Sequence, residues 1–115
     1  MLPSVNSIKK EQDFRAVFRK AKSFRNNLFV FKTAKNGLDE SRFGFVVSQK
    51  VSKKATTRNK IKRRLSEAIW AEMKTIKKGA DSVLIALPGI EKKDFLEIKQ
   101  TVEDALSKAG LVVKN

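Results

Sequence analysis

The sequence predicts an α+β fold, in which one sheet is packed against helices. Residues 42–48 alternate large apolar side chains with other residues, and residues 82–87 are a short run that is almost entirely apolar. Three other stretches repeat apolar side chains every three or four positions, as amphipathic helices do. In chain order these segments read α-β-β-α-β-α. A strand, a long helix and another strand in succession indicate a parallel pair joined by a crossover helix.

The first half of the chain is predicted to contain a helix and two strands. Helical spacing favours a helix over residues 10–21, and strands are predicted at residues 28–33 and 42–48. Residues 36–40 carry turn-forming side chains, so the two strands are expected to form a hairpin. The apolar stripe of the helix consists of Phe14, Val17, Phe18 and Ala21.

The second half begins with a basic connection, residues 49–57, and continues into a long helix. Thr57 is a suitable N-cap for this helix, which is expected to extend to Lys77. The apolar run at residues 82–87 predicts a buried strand. A final helix is expected over residues 92–109.

Composition favours a single domain, residues 1–115, with a polyanionic partner. Apolar residues make up 41% of the chain, enough for a core at this length. Lys and Arg number 26 against 12 Asp and Glu, which gives a net charge of +14. Residues 1–78 hold 21 of the basic and 6 of the acidic side chains. Such a surface attracts RNA, DNA or an acidic membrane, and the first two-thirds of the chain is expected to supply it.

The absent residue types exclude several kinds of chemistry. The chain has no Cys and no His, which removes thiolate nucleophiles, imidazole bases and the common zinc sites. We therefore expect no catalytic side chain, no protein-bound metal and no small-molecule substrate. No apolar run reaches the ~20 residues of a membrane span, and residues 1–10 lack the apolar stretch of a signal peptide. A cytoplasmic protein without a membrane partner is expected.

The charge is densest between Lys50 and Arg64, where eight of fifteen residues are basic and none is acidic. This stretch, called the basic segment below, covers a loop and the start of the long helix. Arg offers a planar fork to phosphate, Lys offers a point charge, and a helix N-terminus offers free N–H groups. A merely solvated helix face is the alternative, and charge alone does not distinguish RNA from DNA. The candidate contacts are Lys50, Lys53, Lys54, Arg58, Asn59, Lys60, Lys62, Arg63 and Arg64.

Four segments of the chain resemble the protein subunit of bacterial ribonuclease P. The most specific is Arg58-Asn59-Lys60-Ile61-Lys62-Arg63-Arg64-Leu65-Ser66-Glu67-Ala68, which is similar to that family's signature helix. Three weaker matches occur in the right order. They are Ile8 to Phe18, Arg42-Phe43-Gly44-Phe45-Val46-Val47-Ser48, and Gly79-Ala80-Asp81 followed by Val83 to Ala86 and Pro88.

The resemblance implies both a fold and a function. It implies an α/β sandwich like the second domain of ribosomal protein S5, with a left-handed βαβ crossover that departs from the usual right-handed rule. It further implies a subunit that binds a catalytic RNA and precursor tRNA. The RNA, with Mg²⁺ that it mainly holds itself, would remove the 5′ leader.

The resemblance also implies two separate RNA-binding regions. The basic segment would face the catalytic RNA, while a cleft between the first helix and the sheet would hold the leader. Phe14, Arg15, Phe18 and Phe31 match leader-binding positions, although phenylalanines four residues apart are more often buried in a core. Ser66 stands where the family commonly has arginine.

Two alternatives to a ribonuclease P subunit stay open. A general RNA-binding or ribosomal protein of the same fold would need the basic segment but no exposed aromatic cleft. An architectural protein would bind duplex DNA without affecting RNA cleavage. A stand-alone nuclease is disfavoured because no cluster of acidic residues able to hold Mg²⁺ is visible.

Overall fold

The fold is built around a four-stranded sheet in a computed structural model that describes residues 2–113. The strands are β1 (Lys22–Arg25), β2 (Phe29–Lys35), β3 (Arg42–Val46) and β4 (Ala80–Ala86), in the spatial order β1-β2-β4-β3. β2 pairs antiparallel with both β1 and β4, and β3 pairs parallel with β4. The α+β class and the single sheet are confirmed.

Three helices cover the two faces of the sheet. α1 (Glu11–Lys20) lies on one face, against β2 and β4. α2 (Ala55–Ala71) and α3 (Phe95–Lys108) pack against each other on the other face. Because α2 joins the parallel strands β3 and β4, the predicted crossover is confirmed; its left hand stays a prediction.

Strand alternation sends neighbouring side chains to different cores. The larger core lies under α2 and α3 and includes Phe29, Phe31 and Phe43, each at most 1% exposed. The smaller core lies under α1 and is formed by Ile8, Val17 and Val83, with half-buried side chains around it. The face of the sheet that packs against α1 is therefore less completely covered than the face under α2 and α3.

Gly44 lets the ring of Phe14 lie directly on β3. A Cβ atom at this position would overlap the ring of Phe14. Any larger residue here would force the ring of Phe14 to shift, so the glycine allows this close approach.

The predicted hairpin is wrong. β2 and β3 do not pair, because β4 lies between them and bonds to both. The turn residues at 36–40 instead connect two strands that are separated in the sheet by β4. β1 was missed because Lys22-Ser23-Phe24-Arg25 has only one apolar side chain, and it forms as an edge strand along β2.

The long helix differs from its prediction at both ends. It begins at Ala55 rather than after Thr57, and its N-cap is Lys54, which makes no side-chain capping bond. It ends at Ala71 rather than Lys77, because Ile76 bridges to Val112 and is buried there. The apolar stripe continues past residue 71, but tertiary contacts draw the chain out of the helix.

The remaining bounds shift by a few residues. The strand predicted at 28–33 lies at residues 29–35, the one predicted at 42–48 at 42–46, and the one predicted at 82–87 at 80–86. The first helix, predicted at 10–21, lies at 11–20, and the last, predicted at 92–109, lies at 95–108. Asp94 starts α3, since its side chain accepts a hydrogen bond from the Glu97 N–H.

An ion pair at the start of β3 ties α1 to the sheet. Arg42 donates from Nε to Asp81 Oδ1 (2.8 Å) and from Nη2 to Asp81 Oδ2 (2.5 Å), in a bidentate pair between neighbouring strands. Its Nη1 lies 3.5 Å from Oδ2 of Asp13 in the first turn of α1. The hydrogen bond with Asp81 raises the pKa of Arg42, so the guanidinium stays charged.

We predict that Arg42→Ala lowers the free energy of unfolding by about 3 kcal/mol, because it leaves the buried Asp81 carboxylate without its cation. The side chain of Asp81 is only 9% exposed. Urea denaturation measures the change. Arg15→Ala is the matched control: its pair with Glu11 is exposed, so a loss below about 1 kcal/mol is expected. Equal losses for both variants would contradict the central role of Arg42.

Candidate nucleic-acid interface

The basic segment forms an exposed surface on the loop after β3 and the first turns of α2. Seven of its nine candidate contacts are exposed, whereas Arg58 and Arg64 are partly buried. The exposed set is Lys50, Lys53, Lys54, Asn59, Lys60, Lys62 and Arg63. The structure thus presents most of the predicted charge to solvent.

The two partly buried arginines also hold the protein's own backbone. Arg58 Nη1 donates to the carbonyl oxygens of Ser52 (3.0 Å) and Lys53 (2.9 Å), which fastens the basic loop onto α2. Arg64 Nη1 donates to the Lys93 carbonyl oxygen (3.1 Å), which links α2 to the segment before α3. Both arginines therefore shape this surface, and their contact with RNA stays a prediction.

The start of α2 suits an anion. No side chain within the described residues caps its first N–H groups, which leaves these donors and the positive end of the helix dipole for a phosphate. The predicted cap, Thr57, lies inside the helix instead.

Asn59, Lys62 and Arg63 lie on one side of α2, as their spacing of three and four residues requires. They line a depression of about 760 Å³ whose other wall includes Lys9 and Phe14. Residues of β3 and of the N-terminal segment, in which Ser7 bridges to Phe43 of β3, complete its lining between the basic segment and α1. It is the feature that joins the two predicted RNA-binding regions.

Three of the four side chains predicted to bind a leader lie on α1 and are at least partly exposed, whereas the fourth is buried. Phe14 is half-buried over Gly44, and Phe18, one helical turn further on, is 44% exposed. Arg15 is exposed and pairs with Glu11 at 2.8 Å. Phe31 is 1% exposed and belongs to the core on the opposite face of the sheet, so the expectation that it lines the cleft is wrong.

The strand residues beside α1 were missed by sequence reasoning. Strand register places Val46, Ile85, Val30 and Arg25 in one row across β3, β4, β2 and β1. Arg25 is exposed and the three apolar residues are half-buried. Phe14 packs around the same small core as Val46 and Ile85, whereas Phe18 lies at the exposed side of α1 with Arg15 and Arg19. We call the strand row, Phe14 and Phe18 together the aromatic groove. The alternation of side chains along β2 and β3 could have shown which residues share a face of the sheet. The alignment of these four residues across the strands, however, depends on the strand order.

Two further positions of α2 are settled by the structure. Trp70 is 48% exposed and belongs to the surface. Ser66 is buried, and its Oγ accepts a hydrogen bond from the Leu2 N–H (3.2 Å). The serine thus anchors the N-terminal segment instead of presenting a charge.

Within residues 2–113 no group of three or more acidic side chains is close enough together to hold a metal ion. Over the same range, no helix has the length and apolar character needed to cross a bilayer.

Comparisons with known proteins agree with this geometry. The family model described as Ribonuclease P matches residues 2–110. The chain is 38% identical over 110 residues to the ribonuclease P protein component of Clostridium acetobutylicum, covering 94% of this chain and 92% of that protein. It is 38% identical over 112 residues to that of Synechocystis sp., covering 96% and 90%. The solved ribonuclease P protein of Staphylococcus aureus superposes with a TM-score of 0.86 at 32% identity, covering 94% and 98%.

Fold, sequence and surface charge thus lead to one conclusion. The matching model spans nearly the whole chain, and the relatives are covered almost from end to end. Because all of these relatives are ribonuclease P protein components, partnership with the ribonuclease P RNA follows. The chain belongs to the ribonuclease P protein family and is the protein subunit of that ribonuclease.

Proposed function

We propose that this subunit holds the ribonuclease P RNA with its basic segment and the 5′ leader of precursor tRNA with its aromatic groove. The RNA subunit carries out the cleavage that removes the leader, with Mg²⁺ held mainly by the RNA. The described protein residues offer no cluster of metal ligands, so no protein side chain is given a role in binding the ion. The general RNA-binding and DNA-binding alternatives have no specific observation in their favour.

One observation carries the proposal: the depression beside β3 is lined both by the ring of Phe14 and by the polar groups of Asn59, Lys62 and Arg63. A single-stranded RNA lying along α1 would therefore reach the basic segment without leaving the protein surface. This arrangement supports a role in bringing substrate and catalytic RNA together.

The basic segment supplies contacts to phosphate rather than to particular bases. Its exposed side chains are lysines and one arginine with a single amide, Asn59. Lys acts as a point charge and Arg as a bidentate donor to phosphate oxygens. The fastening of the loop by Arg58 holds these charges in place before the RNA binds, which lowers the entropy lost on binding.

The aromatic groove supplies contacts that tolerate different sequences. Phe14 and Phe18 offer flat faces on which unpaired bases can stack, and every base has such a face. Val30, Val46 and Ile85 give the groove an apolar floor, while Arg25 places a positive charge at its end. These groups suit leaders that differ in sequence between tRNAs.

We predict that Phe18→Ala weakens binding of leader-bearing precursor tRNA about 5- to 150-fold, the equivalent of ~1–3 kcal/mol for one stacked base. Binding of mature tRNA by the same holoenzyme should not change. Equilibrium binding to both RNAs measures the difference.

Leu96→Ala is the matched control for that variant, because Leu96 is also an exposed apolar side chain but lies on α3, on the other face of the sheet. It should leave both affinities unchanged. An equal loss of affinity for precursor and mature tRNA in Phe18→Ala would return Phe18 to a structural role.

The double variant Lys62→Gln/Arg63→Gln should weaken binding to the RNA subunit. If each side chain neutralises one phosphate, the slope of log K against log salt concentration becomes shallower by about 1.8. We choose these residues over Arg58 because replacing Arg58 would also release the loop it fastens. A salt titration of RNA binding measures the slope, and a slope equal to that of the unmodified protein would exclude these two contacts.

A further inference from the structure

A second basic surface lies at the other end of the sheet. A depression of about 600 Å³ is bounded by the end of α1, the start of β4 and the residues after α3, and we call it the lysine depression. Five exposed lysines line it: Lys20, Lys22, Lys35, Lys77 and Lys78. None of them belongs to the predicted RNA-binding residues.

Strand register shows that the two basic surfaces are distant. Lys35 pairs with Ala80, where β4 begins, whereas Val46 pairs with Ile85 near the other end of β4. The chain enters the basic segment just after Val46. The seven residues of β4 span about 20 Å, so one compact ligand would not cover both surfaces.

The charge of the lysine depression is not balanced by the protein. No acidic side chain lines it, and within residues 2–113 none of the five lysines takes part in an ion pair. The negative end of the α1 helix dipole stabilises only Lys20, which lies in the last turn of that helix. Grouped like charges repel one another, so a bound polyanion would stabilise this region.

The backbone beneath these lysines is held by hydrogen bonds. The Lys77 N–H donates to the Leu111 carbonyl oxygen (2.7 Å), and the Asn36 N–H donates to the Gly79 carbonyl oxygen (2.9 Å). The charges therefore stand on ordered strands and connections rather than on a free tail.

The other lining residues indicate which polyanion fits. They are Thr33, Ala34, Gly79, Ala80, Ala109, Gly110 and Leu111, with no aromatic ring and no side-chain amide. Unpaired bases are bound mainly by aromatic stacking and by hydrogen bonds to their edges, and this surface offers little of either. A double helix turns its bases inward and its phosphates outward, which matches a surface of lysines alone.

We propose that the lysine depression binds the phosphate backbone of a base-paired segment of the ribonuclease P RNA. The identity of the RNA rests on the proposed function, but the surface is separate from the basic segment and from the aromatic groove. The protein would then hold the RNA subunit at two sites, one at each end of its sheet.

The double variant Lys35→Gln/Lys78→Gln tests the charge contribution. If both lysines contact phosphates, the slope of log K against log salt for binding the RNA subunit becomes shallower by about 1.8. Lys92→Gln/Lys99→Gln removes the same charge away from the depression and should change the slope much less. Equal slopes for the two double variants would overturn the proposal. The slope of Lys62→Gln/Arg63→Gln reports separately on the proposed function.

Site-specific crosslinking tests the location. Because the chain contains no Cys, one cysteine introduced as Ala109→Cys carries a photo-crosslinker at the wall of the depression in the assembled holoenzyme. Thr101→Cys, beside Asp104 on α3, is the control and should give no crosslink. Crosslinks to paired nucleotides of the RNA subunit support the proposal. Crosslinks only to unpaired nucleotides, to precursor tRNA or to a second protein copy would overturn it, as would none at all.

Discussion

The pairing of Arg42 with Asp81 and Asp13 is the interaction on which the rest of the structure depends. It joins β3 to β4 and brings the first turn of α1 against the sheet. Asn36 adds a bond from Nδ2 to Asp81 Oδ1 (2.7 Å), so the connection between β2 and β3 is held at the same point. Fixed at this end and seated over Gly44, α1 covers only part of its face. The uncovered row of strand residues becomes the aromatic groove.

The distribution of charge suits the protein to an RNA partner. A net charge of +14 on 115 residues destabilises a compact chain by self-repulsion. The protein collects much of this charge on the basic segment and in the lysine depression, where phosphates would relieve the repulsion. Part of the charge also meets the aromatic surface, because the depression beside β3 is lined by Lys62, Arg63 and Phe14.

How much the sequence could predict depended on whether a property was local. The charge of the basic segment, the amphipathic α1 and the apolar β4 follow from neighbouring residues, and all three are present. The position of β4 between β2 and β3 depends on long-range pairing, and for that reason the predicted hairpin failed. The family resemblance placed Phe31 in the cleft, and the alternation along β2 could not correct this, because it does not say which face of the sheet meets α1. The roles of Arg58 and Ser66 required their partners, Ser52, Lys53 and Leu2, to be located in space.

We propose that the protein promotes cleavage by the RNA subunit because it binds RNA at separate surfaces. Reconstitution tests it most directly: the protein is added to a bacterial ribonuclease P RNA at a low Mg²⁺ concentration, and removal of the precursor tRNA leader is measured. Strong stimulation of cleavage is expected, since the protein's cations would take over part of the charge neutralisation that Mg²⁺ otherwise supplies. No stimulation, with an RNA that is active alone at high Mg²⁺, would contradict it.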